Sequence, residues 1–171
     1  MKIKTLCTAS VFCALLCVAA PLSIPVGPIA LSLASYIIAI TALVFDFRIS
    51  ISVLSIYVLL GCVGLPVFQA FGGGISHLAG PSGGFVLGYF PFLTVCSIFG
   101  RNCNAFKTSL VIGLATLILY MCGLIHFMLV TESNIFTALV VTVVPFIPGD
   151  VLKALLVFPC KGKIQRIIYK N

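Results

Sequence analysis

No charged side chain lies between Lys4 and Asp46, and none between Arg48 and Arg101. A soluble domain breaks such stretches with surface charge, so a chain without it places them in lipid. Composition agrees, with 61% of the 171 residues hydrophobic and only 8% charged, and a mean hydropathy of +1.29. Lipid offers backbone N–H and C=O groups no partners, and a helix satisfies them within its own segment. The sequence therefore predicts an all-α integral membrane protein. Its net charge of +7 would suggest nucleic acid in a soluble domain. Here the basic residues sit in short caps between apolar runs, with no basic groove and no interleaved aromatics, so no nucleic-acid partner is expected.

Six transmembrane helices are expected, roughly 5–20, 29–45, 49–65, 85–99, 106–130 and 148–168, forming one membrane domain over residues 1–171. The start, Met1 to Ala20, has the outline of a secretory signal peptide, but Pro21 directly after Val18-Ala19-Ala20 disfavours cleavage, and a retained first span is expected. Pro21, Pro25 and Pro28 end that span. Asp46-Phe47-Arg48 makes a tight turn between the second and third. Ile135 to Ile147 is only thirteen residues and is cut by prolines at 145 and 148. It reads as an interfacial or re-entrant piece, and the last span begins at Pro148, where proline suits a first helical turn. Of the ten basic residues, nine fall on one side of this layout, Lys153 being the exception. Lys and Arg mark the cytoplasmic side, so both termini are expected there.

Gly72 to Phe85, between the third and fourth spans, holds six glycines and a proline in fourteen residues. No continuous helix can persist through it, and irregular backbone at membrane depth is tolerated where it lines a cavity. This outward-facing loop is the first candidate site. The second is Asp150 with Lys153, three apart on one helix face near its outer end. Ionisable groups there mark a site by default, or else neutralise each other as a structural pair. His77 is either an exposed loop residue or a ligand contact.

Ser82 in Gly80-Pro81-Ser82-Gly83 matches the Gly-x-Ser-Gly of six-span intramembrane serine proteases, with His126 as the conceivable base. Such proteases take their histidine from the last span, which has none here, and His126 reads as a packing histidine. No phosphate-cradling Gly-x-x-x-x-Gly-Lys-Ser/Thr occurs. The eight cysteines form no Cys-x-x-Cys pair and read as small core residues, so neither a metal nor a cofactor is expected. On the first span, Ala9 with Cys13, Ser10 with Ala14, and Cys13 with Cys17 fall four apart, a stripe suited to internal packing or to docking a partner subunit.

Gly64-Leu65-Pro66-Val67-Phe68, the glycines at 72–74 and Gly80-Pro81-Ser82-Gly83-Gly84-Phe85 resemble one signature of the BioY family, the biotin-binding S components of energy-coupling factor (ECF) vitamin transporters. Pro145-Phe146-Ile147-Pro148-Gly149-Asp150-Val151-Leu152-Lys153 is similar to its other signature, Pro-Phe-x-Pro-Gly-Asp-x-x-Lys. Ile24-Pro25-Val26-Gly27-Pro28 looks like the family's first outer loop, a gate. The chain departs where Ser82 replaces Thr, Phe85 replaces Tyr, and Ala30-Leu31-Ser32 replaces Thr-Leu-Gln.

The resemblance implies a non-enzymatic capture protein for biotin. Asp150 and Lys153 would make polar contacts, helped by Ser82, Gly83, Gly84, His77 and Ser32, while Phe68, Phe71 and Phe85 would supply apolar walls. It also implies membrane lipid around the chain, and a membrane coupling subunit and two ATP-hydrolysing subunits as partners, docked on the Ala9, Ser10, Cys13, Ala14 and Cys17 stripe. A binding subunit for another small vitamin, or a hydrolase on Ser82 and His126, are the alternatives.

Overall fold

The computed structural model describes residues 3–26, 29–101, 103–144, 146 and 149. Among them, the chain runs α1 (Ile3–Ala19), β1 (Ser23–Val26), β2 (Ile29–Ser32), α2 (Ala34–Val44), α3 (Phe47–Cys62), a 3-10 turn (Gln69–Phe71), α4 (Ile75–Ala79), α5 (Gly83–Phe99), α6 (Ala105–Thr131) and α7 (Ile135–Thr142). Apart from residue 149, the expected sixth span, 148–168, lies outside the described residues, and so do Asp150 and Lys153.

Burial follows helical spacing. Phe12 and Leu16 face inward from α1, and Ile49, Val53, Leu54, Tyr57 and Val58 from α3. The eleven-residue α2 is different, because every residue from Ile37 to Val44 is buried. A helix apolar all round is a core helix. On α5 the inward set includes Gly84, Phe85, Gly88, Tyr89, Phe92 and Cys96. That helix packs most extensively on α6, and also meets α2, α3 and α4. It is the hub of the bundle.

The outer face of α6 exposes Leu110, Leu114, Leu117, Met121 and Ile125. A continuous apolar face of that kind suits lipid, not water. Among the described residues α6 is also the one helix long and apolar enough to cross a membrane by itself, over Phe106–Thr131. On the side carrying the basic turns, Arg101 pairs with Asp46, tying the α2–α3 turn to the segment before α6.

Two expectations are corrected. The run 29–45 is not one helix: Ile29–Ser32 pairs antiparallel with Ser23–Val26, Ser23 facing Ser32 and Val26 facing Ile29. Proline at 25 does not oppose this, since both strands of a two-stranded hairpin are edges and need not donate on both sides. The Ser32 hydroxyl then donates to the Ala20 carbonyl at 3.0 Å and accepts the Ala34 N–H at 3.0 Å, so α2 begins two residues later. The second correction concerns the glycine-rich stretch, which is less irregular than its composition implies. It contains the short α4 and the first turn of α5, which starts at Gly83 instead of Phe85.

Two helix glycines separate close packing from mere presence. A Cβ at Gly84 would lie 2.3 Å from the His126 Cβ and 2.7 Å from the Cys122 carbonyl, whereas one at Gly113 meets nothing within 4 Å. Gly84→Ala therefore forces α5 away from α6 and lowers stability by about 1–3 kcal/mol. Gly113→Ala raises it by up to about 1 kcal/mol through helix propensity. Thermal unfolding of the two variants in detergent checks the contrast.

Candidate binding site at the glycine-rich segment

The segment between α3 and α5 folds back onto the end of α3. Gly64, at φ +108°, turns the chain, and Phe68 then drops into the bundle with no exposed surface. Its seat is Gly61, where a Cβ would lie 2.1 Å from the Phe68 ring. The ring meets Tyr57 edge-on at 5.6 Å and stacks on the His77 imidazole at 5.2 Å. Backbone bonds hold the turn that follows: Phe68 N–H to Gly72 O at 2.9 Å, and Gly74 N–H to Gly61 O at 2.7 Å.

His77, on α4, continues this chain of contacts. Its Nε2 lies 3.1 Å from the Ser82 hydroxyl, while its Nδ1 edge occupies the space a Cβ at Gly72 would need. Tyr57, Phe68, His77 and Ser82 thus form one continuous stack from α3 to the start of α5. Burial pushes the His77 pKa below its ordinary 6.5, because the low-dielectric setting disfavours the imidazolium. Among the described residues no carboxylate is bonded to this ring.

The other two members of the expected loop site pack sideways. Gly83 has the Leu78 carbonyl where a side chain would begin, and Gly84 lies against α6, as described. Their lack of a side chain serves close approach of the chain to itself. Phe85 seats its ring against Gly123 of α6 and stacks on Phe146 at 6.1 Å. Phe71 differs from these, being 64% exposed. It and Ala70 stand at φ 57° and 54°, a left-handed pair without glycine. Such backbone is strained and is held by its surroundings. Here the holding contact is the Ala70 N–H, which donates to the Ser23 hydroxyl of the β1–β2 hairpin at 2.9 Å.

Several sequence-based expectations can now be placed. Phe68, His77, Ser82, Gly83, Gly84 and Phe85 are gathered at the start of α5, with Phe71 at the outer turn. Ser32 is not on a helix; its hydroxyl links Ala20 to Ala34. The pairing of Ser82 with His126 does not occur. His126 Nε2 bonds the Gly80 carbonyl at 3.1 Å, so it donates to backbone and cannot serve Ser82 as a base. Tyr57, Ser23 and Phe146 were not singled out for the site; only Phe146 had a signal, its place in the proline-rich motif. All five residues of the small-residue stripe, Ala9, Ser10, Cys13, Ala14 and Cys17, line a groove of about 560 Å³ between α1 and α3, together with Val53 and Arg48.

The lowered His77 pKa fixes the sign of a pH effect. The unfolded chain takes up its proton at about 6.5 while the folded chain resists, so stability is full above that pH and falls as pH drops below it. Thermal unfolding between pH 7.5 and 5 should show this fall, and His77→Gln should flatten it.

Comparison with known proteins places this arrangement. The model of the BioY family matches residues 1–170. A probable biotin transporter BioY of Pyrococcus horikoshii is 34% identical over 154 residues, covering 90% of this chain and 91% of its own. The biotin transporter BioY of Thermotoga maritima is 34% identical over 151 residues, covering 88% and 89%. In fold, the chain superposes with TM-score 0.86 on the crystal structure of an S-component for biotin from an ECF-type ABC transporter, at 23% identity and with 99% and 93% of the two chains covered. A family match along almost the entire sequence, with relatives aligned over nine-tenths of it, leads to one conclusion: this chain belongs to the BioY family.

Proposed function

We propose that this chain is the biotin-capturing membrane subunit, the S component, of an ECF-type importer. The observation that carries the reading is the family match over residues 1–170, which takes in both signature stretches. The relatives are named as biotin transporters, which supplies the ligand. In this reading the chain binds and does not catalyse. ATP hydrolysis belongs to two partner subunits, coupled through a third in the membrane.

The chain crosses the membrane six times with both termini in the cytoplasm, and the β1–β2 hairpin and the glycine-rich segment close the pocket from outside. Asp150 and Lys153, at the start of the last helix, supply charge for biotin's polar ends. Phe71, exposed on its strained turn, and Phe85 wall the apolar ring and chain. Ser82 and His77 add polar contacts from the opposite side. The α1–α3 groove supports the docking part of the reading, because small residues there leave room for a partner helix to approach closely.

Labelled-biotin binding to the purified protein in detergent tests the capture reading. Asp150→Ala or Lys153→Ala strands the other charge in a buried site, at a cost of roughly 3–5 kcal/mol. Affinity should fall by about a hundredfold or more in each variant. A wild-type protein that is folded yet binds no biotin would sink the ligand assignment.

The docking face has its own signature. Ala14→Leu fills the groove from its exposed wall, away from the hairpin and glycine-rich segment. Biotin binding by the purified variant should match the wild type, while uptake by cells supplying the coupling subunits should be lost. Normal uptake by the variant would remove this face from the partner interface.

A further inference from the structure

Thr142, the last residue of α7, has no exposed surface. Among the described residues, its hydroxyl is the one buried side-chain oxygen or nitrogen without a hydrogen-bond partner. Helical threonines normally solve this locally, by donating to the carbonyl four residues back. Thr41 does so at 2.7 Å, Thr94 and Thr116 at 2.8 Å, and Thr131 at 2.7 Å. Thr142 alone among these five makes no such bond. An orphaned buried hydroxyl is costly, and a native structure retains one where something else completes it.

Its position says what that could be. Thr142 stands on the buried side of α7 with Ala138. Four residues on, Phe146 stacks on Phe85 at the start of α5. The hydroxyl therefore lies on the stretch of chain that runs from α7 into the proline-rich signature, on a helix without a charged residue and four positions before Phe146, a member of the buried apolar core. A neutral donor and acceptor in apolar surroundings matches an uncharged, rigid group bearing both N–H and C=O better than it matches a carboxylate.

We propose that the Thr142 hydroxyl is a ligand contact that hydrogen-bonds the ureido ring of biotin, an inference that rests on the biotin reading above. The test measures biotin binding and ligand-free thermal unfolding for the wild type, Thr142→Val and Thr142→Ser. Thr142→Val keeps the shape and removes the hydroxyl. It should melt at or above the wild-type temperature without ligand, yet bind biotin about tenfold more weakly, the 1.4 kcal/mol of one neutral hydrogen bond. Thr142→Ser should stay within about threefold of the wild type. The loss in Thr142→Val should be equal for biotin and for its methyl ester, which lacks the carboxylate charge.

Unchanged affinity in Thr142→Val overturns the inference. So does a melting temperature below the wild type without ligand, since the hydroxyl would then serve the fold. A loss confined to the free acid overturns the assignment to the ring. Failure of the wild type itself to bind biotin is seen before any variant is made, and it removes the biotin reading together with this inference.

Discussion

An irregular stretch of backbone set among lipid-facing helices must find all of its hydrogen-bond partners inside its own chain. The structure meets that demand by letting the chain approach itself very closely. Gly74 donates to Gly61 across the turn, Phe68 donates to Gly72, and the Gly80 carbonyl is taken by His126 from α6. Gly61 and Gly72 leave room for the Phe68 and His77 rings, and Gly74 takes a φ of +85° that other residues rarely adopt, which is why glycines cluster here. The same condition makes α5 the hub: its first turn is where the glycine-rich segment, α4 and α6 converge.

This arrangement explains how polar and apolar groups share the site. Phe68 is wholly enclosed between Tyr57 and His77, so it orients the imidazole and does not present a face to solvent. His77 in turn holds the Ser82 hydroxyl. The outer turn at Ala70 and Phe71 is the reverse case, strained and exposed, and its link to Ser23 joins the hairpin to the glycine-rich segment. Rigid interior and strained rim are two parts of one folded segment.

Much of this was legible in the sequence because lipid imposes simple rules. Charge-free runs marked α1, α3, α5 and α6, and the glycines and prolines marked where regular structure would be interrupted. The hairpin was not legible. Ile29-Ala30-Leu31 is as apolar as the helix that follows, and a four-residue strand leaves too short a pattern to separate period 2 from period 3.6. The partners of the two histidines were also hidden, since His77 and Ser82 meet through the turn of α4, and His126 reaches Gly80 across helices. Thr142 looked like any helical threonine, because an absent bond leaves no mark in a sequence. Family resemblance reached the two signatures directly, but said nothing of the stack from Tyr57 to Ser82.

The seats of the two buried phenylalanines carry an evolutionary consequence. Phe68 rests on Gly61 of α3, and Phe85 on Gly123 of α6, with no space left in either contact. Drift at these positions is therefore coupled in pairs: a lineage that enlarges residue 61 must shrink residue 68, and one that enlarges residue 123 must shrink residue 85. The positions of these two rings are thus inherited from neighbouring helices, so the packing around the glycine-rich segment can change through residues on α3 and α6 that lie outside it.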